Sequence, residues 1–391
     1  MSLVPVRWRM LFVLFLARTA MAYQFQTVAS DGPFLIDTLG IGYAELGTLI
    51  GLYMLPGIVI ALPGGMLGQR FGVKRMTLIG LGLMTVGGAM MSVDSVPLVF
   101  AGRLVSGLGA VFVNVLMTKM LADWFAGREI VTAMAMFVSS WPAGIALGLI
   151  SFPPLAAAYS WVAVMQVAAA GVVVCLVLVA LIYHAPRDAP RETGRLQLDL
   201  SGREWLLVSL AGFIWGTFNA AYVILISFLP DLFAQRGYSL AEASGLVSLL
   251  AWVVIPAVPL AGFLAERFRR PTLTMLAGLL MAAAATVALP LAGAAIVPFV
   301  ILVLVIGLPP GPMMALAPEA LQPQSRAAGM GVFYTWHYAA MTVLPAIAGA
   351  ARDYAATPAA PSVFAALLMV VSAAAVIGFR LRQRDPAAAG G

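Results

Sequence analysis

The chain has 391 residues, of which 62% are hydrophobic and 10% are charged, and its mean hydropathy is +1.00. A soluble domain usually carries about 25% charged residues, so this composition is typical of an integral membrane protein. Each span needs roughly 20 apolar residues, and the length therefore allows about a dozen helices and excludes a large catalytic domain in water. The single Cys175 excludes an intramolecular disulfide, and no Cys/His spacing typical of a metal site occurs.

The N-terminal segment has some features of a signal peptide. Arg7 and Arg9 precede an apolar run, and small residues follow at 20–22. However, Arg18 interrupts the apolar run, and the segment continues to Ser30 at a length that suits a complete crossing. We therefore expect an uncleaved first span.

Apolar stretches between polar or Pro/Gly breaks predict twelve membrane spans. In chain order they cover residues 9–30, 43–64, 76–93, 97–121, 130–152, 159–184, 205–230, 240–262, 271–290, 294–318, 327–350 and 359–380.

A single long polar connection lies near the middle of the chain and separates six spans from six. The expected organisation is an N-terminal six-helix half at 1–184, a cytoplasmic linker at 185–204, a C-terminal six-helix half at 205–384 and a short cytoplasmic tail at 385–391. The predicted fold class is an all-α integral membrane protein with two pseudo-symmetric halves.

Positive charge is unevenly divided between the loops. With the N-terminus inside, most of the 22 Lys and Arg residues fall on the cytoplasmic side, whereas the opposite loops keep Arg236 and Arg352. This distribution predicts a protein of a bacterial inner membrane with both termini in the cytoplasm. The net charge of +6 is explained by topology and does not indicate nucleic-acid binding.

An internal repeat relates the two halves. Residues 65–71 (GMLGQRF) after span two are echoed by residues 262–268 (GFLAERF) after span eight, 197 residues further on, from 65 to 262. Adding the same offset to the position of Asp123 gives a position one residue from Glu319, and adding it to that of Arg128 gives a position one residue from Arg326. Parallel repeats of this kind are typical of alternating-access transporters, whose substrate site lies between the halves.

The loop after span two resembles the signature of the major facilitator superfamily, which reads G-x-L-[AG]-[DE]-R-x-G-x-[KR]-[KR]. A second family signature, R-x-x-x-G-x-G, is matched in span four by Arg103, Gly107 and Gly109. The chain departs from the first signature at Gln69, where the family usually has an acid, whereas the second copy keeps Glu266. The residues that match the first signature are Gly65, Leu67, Gly68, Arg70, Gly72, Lys74 and Arg75.

The resemblance covers essentially the whole chain and implies the major facilitator fold with twelve helices. More narrowly, the layout resembles the branch of cyanate and nitroimidazole porters. The family likeness implies a secondary transporter in which spans one and eleven line the cavity.

The repeated loops predict a cytoplasmic gate. Small Gly65 and Gly68 allow close helix contact. Arg70 has Asp123 or Glu129 within expected reach, and Arg267 has Glu319. The alternative is that these cations only follow the positive-inside rule. The predicted gating residues are Gly65, Gly68, Gln69, Arg70, Asp123, Arg128, Glu266, Arg267, Glu319 and Arg326.

Arg18, halfway along span one, is the leading candidate for substrate binding. A guanidinium at mid-bilayer is costly unless it meets water, an anion or a carboxylate, and its fork suits a planar anion. The alternative is an arginine bonded to backbone carbonyls for structural reasons. Arg103 in span four is assigned a structural role, as the partner of Asp31.

His337 in span eleven is the expected proton carrier or sensor, because a histidine titrates near neutral pH. The alternative is a neutral histidine in a helix contact. Hydrogen-bonding and aromatic residues in the same spans and in spans four, five and seven complete the predicted binding set: Phe25, Gln26, Asn114, Trp141, Asn219, Tyr222, Tyr334 and Tyr338.

These features predict a transporter that moves a small organic or inorganic anion by proton symport or exchange. The alternative is efflux of neutral or amphipathic compounds such as drugs or sugars. An enzyme is excluded because no nucleophile–base pair or metal cluster is present, and no cofactor is expected. The expected partners are a small, anionic substrate, a coupling proton or counter-substrate and the lipid bilayer, with no nucleic acid, and the expected state is a monomer.

Overall fold

The computed structural model describes residues 5–125, 129–186, 200–292, 295–322 and 325–384. Every regular element in these ranges is a helix, so the predicted all-helical class is confirmed. The chain forms two compact units. The N-terminal unit runs to Ile41 and resumes at Leu52, and the C-terminal unit contains Gly42–Gly51 together with the second part of the chain.

The described residues of the first part of the chain form eight helices, one of which, α3, lies mainly in the C-terminal unit. Their bounds are α1 Val6–Ser30, α2 Gly32–Leu39, α3 Tyr43–Leu52, α4 Leu55–Phe71, α5 Val73–Met91, α6 Val96–Phe125, α7 Ile130–Ala158 and α8 Trp161–Ile182.

In the second part, the residues that the structure describes form seven helices. Their bounds are α9 Gly202–Ala234, α10 Leu240–Arg267, α11 Pro271–Leu291, α12 Ile296–Val305, α13 Pro310–Ala320, α14 Arg326–Ala355 and α15 Ala359–Arg384.

Helices occupy all twelve positions at which the sequence predicts spans. Within the described ranges, nine of these segments are long and apolar enough to cross a membrane. The other three are α1, α5 and α14, with 25, 19 and 30 residues, which are long enough but more polar. For example, α1 contains Arg18, Gln24 and Gln26, and α14 contains His337 and Asp353. Two of the least apolar spans thus carry several of the predicted binding residues.

The two units repeat the same set of helix neighbours. In the N-terminal unit α1 packs against α7 and α8, α5 packs against α6 and α8, and α4 packs against α6. In the C-terminal unit α9 packs against α14 and α15, α11 packs against α12 and α15, and α10 packs against α13. The repetition agrees with the 197-residue sequence repeat.

The seventh span starts earlier than the sequence predicts. Ser201 caps α9: its hydroxyl accepts the backbone N–H of Glu204, and the Glu204 carboxylate accepts the backbone N–H of Ser201. This capping box satisfies two amide donors at the helix end. Residues 202–204 therefore belong to α9 and not to the linker, whose residues 187–199 lie outside the described part of the chain.

The second span is divided between the two units. Its first part, α3, packs against α14 through glycines that permit direct backbone contact. A Cβ on Gly47 would lie 2.1 Å from the Pro345 carbonyl oxygen, and one on Gly51 would lie 2.0 Å from that of Thr342. Since no side chain fits at these distances, only glycine allows this approach. The sequence places residues 43–64 in the N-terminal half, whereas α3 packs within the C-terminal unit.

Candidate functional site

Arg18 lies at mid-length of α1 and contacts two other helices of the N-terminal unit. Its Nε donates to Asn114 Oδ1 on α6 at 3.2 Å. Its Nη1 donates to the carbonyl oxygens of Phe137 and Val138 on α7 at 2.9 and 3.2 Å. The guanidinium carbon also lies 4.8 Å from the centre of the Phe137 ring, a cation–π distance. The structure thus brings the predicted binding residues Arg18 and Asn114 together.

The local sequence of α7 explains why carbonyls are available to Arg18. In an α-helix the carbonyl of residue 138 would accept the amide of residue 142. Residue 142 is proline, which has no N–H. The Val138 carbonyl therefore lacks its helical donor, and the half-buried Arg18 supplies one.

Arg103 and Asp31 do not form the predicted ion pair. The buried Arg103 guanidinium donates to the carbonyl oxygens of Gln24 and Phe25 at 3.3 and 2.8 Å. Its Cζ lies 4.6 Å from the centre of the Tyr53 ring. The Asp31 carboxylate is completely buried and accepts no hydrogen bond in the described structure. The pairing prediction is wrong because main-chain oxygens and an aromatic face surround the cation.

Two further predicted residues of α1 contact other groups of the N-terminal unit. The buried Phe25 packs its ring 5.3 Å from that of Trp141 on α7. Gln26 Nε2 donates to Ser30 Oγ at 3.2 Å, and a Cβ added at Gly148 of α7 would lie 2.9 Å from the Gln26 side chain. The predicted residues of spans one, four and five therefore form two small groups, Arg18 with Asn114 and Phe25 with Trp141.

The C-terminal unit gathers an aromatic group around His337. The imidazole lies 5.4 Å from the Tyr338 ring and 6.3 Å from the rings of Tyr334 and Trp215. Trp215 lies on α9, and the others lie on α14. His337 Nδ1 is buried and has no hydrogen-bond partner among the described residues. The structure brings together three predicted residues and adds Trp215.

Asn219 and Tyr222 of α9 lie outside this aromatic group. Asn219 Nδ2 donates to the Trp215 carbonyl oxygen at 2.7 Å, one turn earlier in the helix. Tyr222 is 9% exposed, and its hydroxyl has no partner in the described structure.

The acidic residues of the predicted gate pair with other cations. Asp123 contacts Lys119, one turn earlier on α6, at 3.3 Å. Glu129 pairs with Arg7 at 2.8 Å.

In the C-terminal unit Glu319 pairs with Arg380 on α15. Arg70 and Arg267 are exposed at the ends of α4 and α10 and make no salt bridge within the described ranges. The predicted pairs Arg70–Asp123 and Arg267–Glu319 are therefore wrong for this structure, because Lys119 on the same helix pairs with Asp123 and Arg380 on α15 pairs with Glu319.

Gly68 is the gating residue whose packing is best defined. A Cβ added there would lie 2.3 Å from the Leu116 side chain on α6, which explains the small residue at this position. The remaining gating residues fall outside what the structure describes: all of Arg128, and the side-chain positions at Gly65, Gln69, Glu266 and Arg326.

A polar cluster in the C-terminal unit escaped the sequence analysis. Asp353 on α14 accepts the backbone N–H groups of Tyr43 and Ala44 at 3.0 and 2.7 Å and so caps α3. Arg352 pairs with Asp231 on α9 at 3.0 Å and lies over the Tyr43 ring. The adjacent Arg352–Asp353 pair is visible in the sequence, but nothing local indicates which distant helix end it meets.

Comparisons with known proteins agree with this architecture. The family model of the Major Facilitator Superfamily matches residues 11–345 and 220–389. A bacterial homologue of the human lysosomal transporter Spinster, in an inward-facing and unoccupied conformation, has a TM-score of 0.75 and 17% identity over 97% of each chain. The nucleoside transporter NupG has a TM-score of 0.77 and 14% identity over 96% of this chain and 100% of its own. At these identities the likeness shows the fold alone.

Sequence relatives of known name are transporters. The 3-(3-hydroxy-phenyl)propionate transporter of Escherichia coli is 30% identical over 62% of this chain and 60% of its own length. The hexuronate transporter of Bacillus subtilis is 20% identical over the same shares. The 2-nitroimidazole transporter of Escherichia coli is 27% identical over 55% of this chain and 56% of its own. The chain thus spans less than two thirds of the length of each of these relatives.

Proposed function

The chain belongs to the major facilitator superfamily, and from this premise we propose that it moves a small organic or inorganic anion by proton symport or exchange. Family membership and relatives named as transporters make it a secondary transporter, not an enzyme. It is an integral membrane protein with a small-molecule substrate. The anionic substrate and the coupling ion are the parts that we propose.

The single observation that carries the anion proposal is the half-buried guanidinium of Arg18. Its Nη1 is held by carbonyl oxygens of α7, which a carboxylate can replace with a stronger, charge-assisted pair. Asn114 holds Nε and so fixes the orientation of the fork. Two of the relatives are named for hexuronate and a phenylpropionate, both carboxylates, which supports this substrate class.

The remaining predicted residues complete the proposal. In the N-terminal unit Phe25, Gln26 and Trp141 accompany Arg18 and Asn114. In the C-terminal unit Asn219, Tyr222, Tyr334 and Tyr338 supply hydroxyls, an amide and aromatic faces, and His337 carries or senses the proton. We assign gating to the two repeated loops, although Asp123 and Glu319, the expected partners of the loop arginines, pair with other cations in this structure.

Uptake by proteoliposomes tests the role of Arg18. Glucuronate and 3-(3-hydroxyphenyl)propionate serve as probes. Arg18→Gln is expected to abolish uptake, and Arg18→Lys, which keeps the charge but loses the fork, is expected to weaken binding by about 1.5–3 kcal/mol. Arg9→Gln is the matched control because Arg9 is an exposed cation on the same helix. Retained uptake in Arg18→Gln would refute the binding role.

The C-terminal aromatic group favours a second candidate, efflux of neutral or amphipathic compounds. Trp215, Tyr334, Tyr338 and His337 offer stacking surfaces without a fixed charge. Thermal-shift measurements with organic anions and with hydrophobic amines separate the two candidates. Stabilisation by anions alone supports the first, and stabilisation by amines alone supports the second.

A further inference from the structure

Asp31 is a buried carboxylate that the proposed transport mechanism leaves unused. It lies at the joint between α1 and α2, with 0% of its surface exposed, and neither carboxylate oxygen has a hydrogen-bond partner in the described structure. Its main chain is fully engaged, because its N–H donates to the Thr27 carbonyl and its carbonyl accepts the amide of Leu35. The joint therefore holds the side chain inside the N-terminal unit.

No cation neutralises this carboxyl group within the described residues. Arg103 directs its guanidinium to the Gln24 and Phe25 carbonyls and the Tyr53 ring. The titratable side chain that interacts electrostatically with Asp31 is Tyr23, whose hydroxyl is hydrogen-bonded to Ser151 on α7 at 2.8 Å.

A second acid close to Asp31 in the chain has a different environment. Asp37 on α2 is exposed. Asp31 is therefore buried without a cation or a hydrogen-bond partner among the described residues, whereas Asp37, six residues later, faces solvent.

An ionised carboxylate in such an environment costs many kcal/mol, so a buried carboxyl group without a partner neutralises itself by keeping its proton. We propose that Asp31 holds a proton in this conformation and is a coupling-proton site of the transporter. The proton leaves to water, forming a carboxylate and a hydronium ion, when the α1–α2 joint opens to solvent. The coupling part of this inference rests on the proposed function, whereas the protonation does not.

A proton suits the site better than a metal cation. Hard cations need several oxygen ligands at once, whereas a proton needs only the carboxyl oxygen that carries it. If one proton moves with one monoanion, the pair is electroneutral, and the pH gradient alone can drive accumulation.

Infrared spectroscopy of the full-length protein tests the protonation directly and needs no substrate. The C=O stretching band of a protonated carboxyl group is expected at neutral pH in the wild type and in Asp37→Asn, and is expected to disappear in Asp31→Asn. Asparagine has the same shape as a neutral aspartic acid. An identical band in the wild type and Asp31→Asn, or no band in the wild type, overturns the proposal.

Two additions keep the test decisive. If Asp31→Asn does not fold, the wild type is labelled with carbon-13 aspartate instead. The proposal then predicts that the C=O band shifts, and an unshifted band overturns the assignment. If sodium chloride removes the band at constant pH while choline chloride does not, the site binds a metal cation and the proton assignment is wrong.

Transport then tests the coupling. With glucuronate as probe, a gradient of one pH unit is expected to sustain about a tenfold accumulation in the wild type and in Asp37→Asn. Asp31→Asn is expected to keep glucuronate exchange and to lose this accumulation. Unchanged accumulation in Asp31→Asn refutes the coupling role. Absence of any glucuronate transport in the wild type counts against the proposed substrate class and leaves the infrared result to decide the protonation.

Discussion

At the scale of single residues, Arg18 shows how a buried cation and a helix break compensate each other. Because Pro142 has no N–H, the Val138 carbonyl lacks its helical donor, and Arg18 Nη1 donates to this carbonyl instead. The sequence shows a guanidinium and a proline on different spans, 124 positions apart along the chain. The sequence therefore allowed both interpretations of Arg18, anion binding and bonding to the backbone. It does not show that the helices of Arg18 and Pro142 are adjacent.

A double-mutant cycle measures this compensation. Pro142→Ala supplies the missing amide, so Arg18→Gln should destabilise the protein by about 1 kcal/mol less in that background than in the wild type. Denaturant unfolding of the four proteins gives the coupling. Pro154→Ala, in the same helix and away from Arg18, is the control and should couple weakly. Additive effects of residues 18 and 142 would show that the hydrogen bond contributes nothing.

At the scale of helices, each unit joins its first and fifth spans by a polar contact at the same end. Arg7 in the first turn of α1 pairs with Glu129, the residue before α7, at 2.8 Å. The Glu204 carboxylate on α9 accepts a hydrogen bond from the backbone N–H of Gln322 at 3.0 Å and another from the Ser325 hydroxyl. Both donors lie just before α14. Glu204 lies 197 residues after Arg7, the offset of the sequence repeat, so a polar contact recurs at this position with an acid in place of the cation and neutral groups as its partners.

The two contacts should differ in strength. Glu204 is 8% exposed and accepts several hydrogen bonds, so Glu204→Gln should cost about 1.5–3 kcal/mol, the range for hydrogen bonds to a charged group. The Glu129 side chain is 48% exposed, and Glu129→Gln should cost about 0.2–1 kcal/mol. Chemical denaturation of both variants checks this order. Equal losses would mean that burial does not strengthen the second contact.

The crossing of α3 and α14 gives a third expected outcome. Gly47→Ala places a Cβ 2.1 Å from the Pro345 carbonyl oxygen, and overpacking of this kind costs about 1–3 kcal/mol. The thermal midpoint should fall accordingly. Gly245→Ala on α10 is the matched control, because its Cβ meets nothing within 4 Å and alanine favours the helix by about 0.5–1 kcal/mol. A Gly47→Ala protein as stable as the control would contradict the close contact.

At the scale of the whole molecule, the orientation in the membrane is a prediction from charge. We propose a bacterial inner membrane and cytoplasmic termini, because most cations fall in loops on one side. The proposed oligomeric state is a monomer. Reporter domains fused after Arg384 and inserted within residues 185–204 should both report the cytoplasm, and one inserted at Arg236 should report the opposite side. An external signal from either of the first two fusions would reject the twelve-span topology.

The sequence by itself determined the membrane class, the twelve helical positions, the repeat and the family. These properties follow from local hydropathy and from short motifs, which report the environment of each segment without its neighbours. The start of α9 was missed by three residues, because the capping box between Ser201 and Glu204 was not recognised.

Only the tertiary structure decided which helices share their polar groups. It pairs Glu319 with Arg380, bonds Arg103 to backbone carbonyls and places α3 in the C-terminal unit. It also leaves Asp31 buried without a hydrogen-bond partner among the described residues. Each outcome depends on distances between side chains far apart in the chain. Along a helix the sequence specifies contacts three or four residues apart, but partners on other helices are set by packing, so charge positions alone could not identify the pairs.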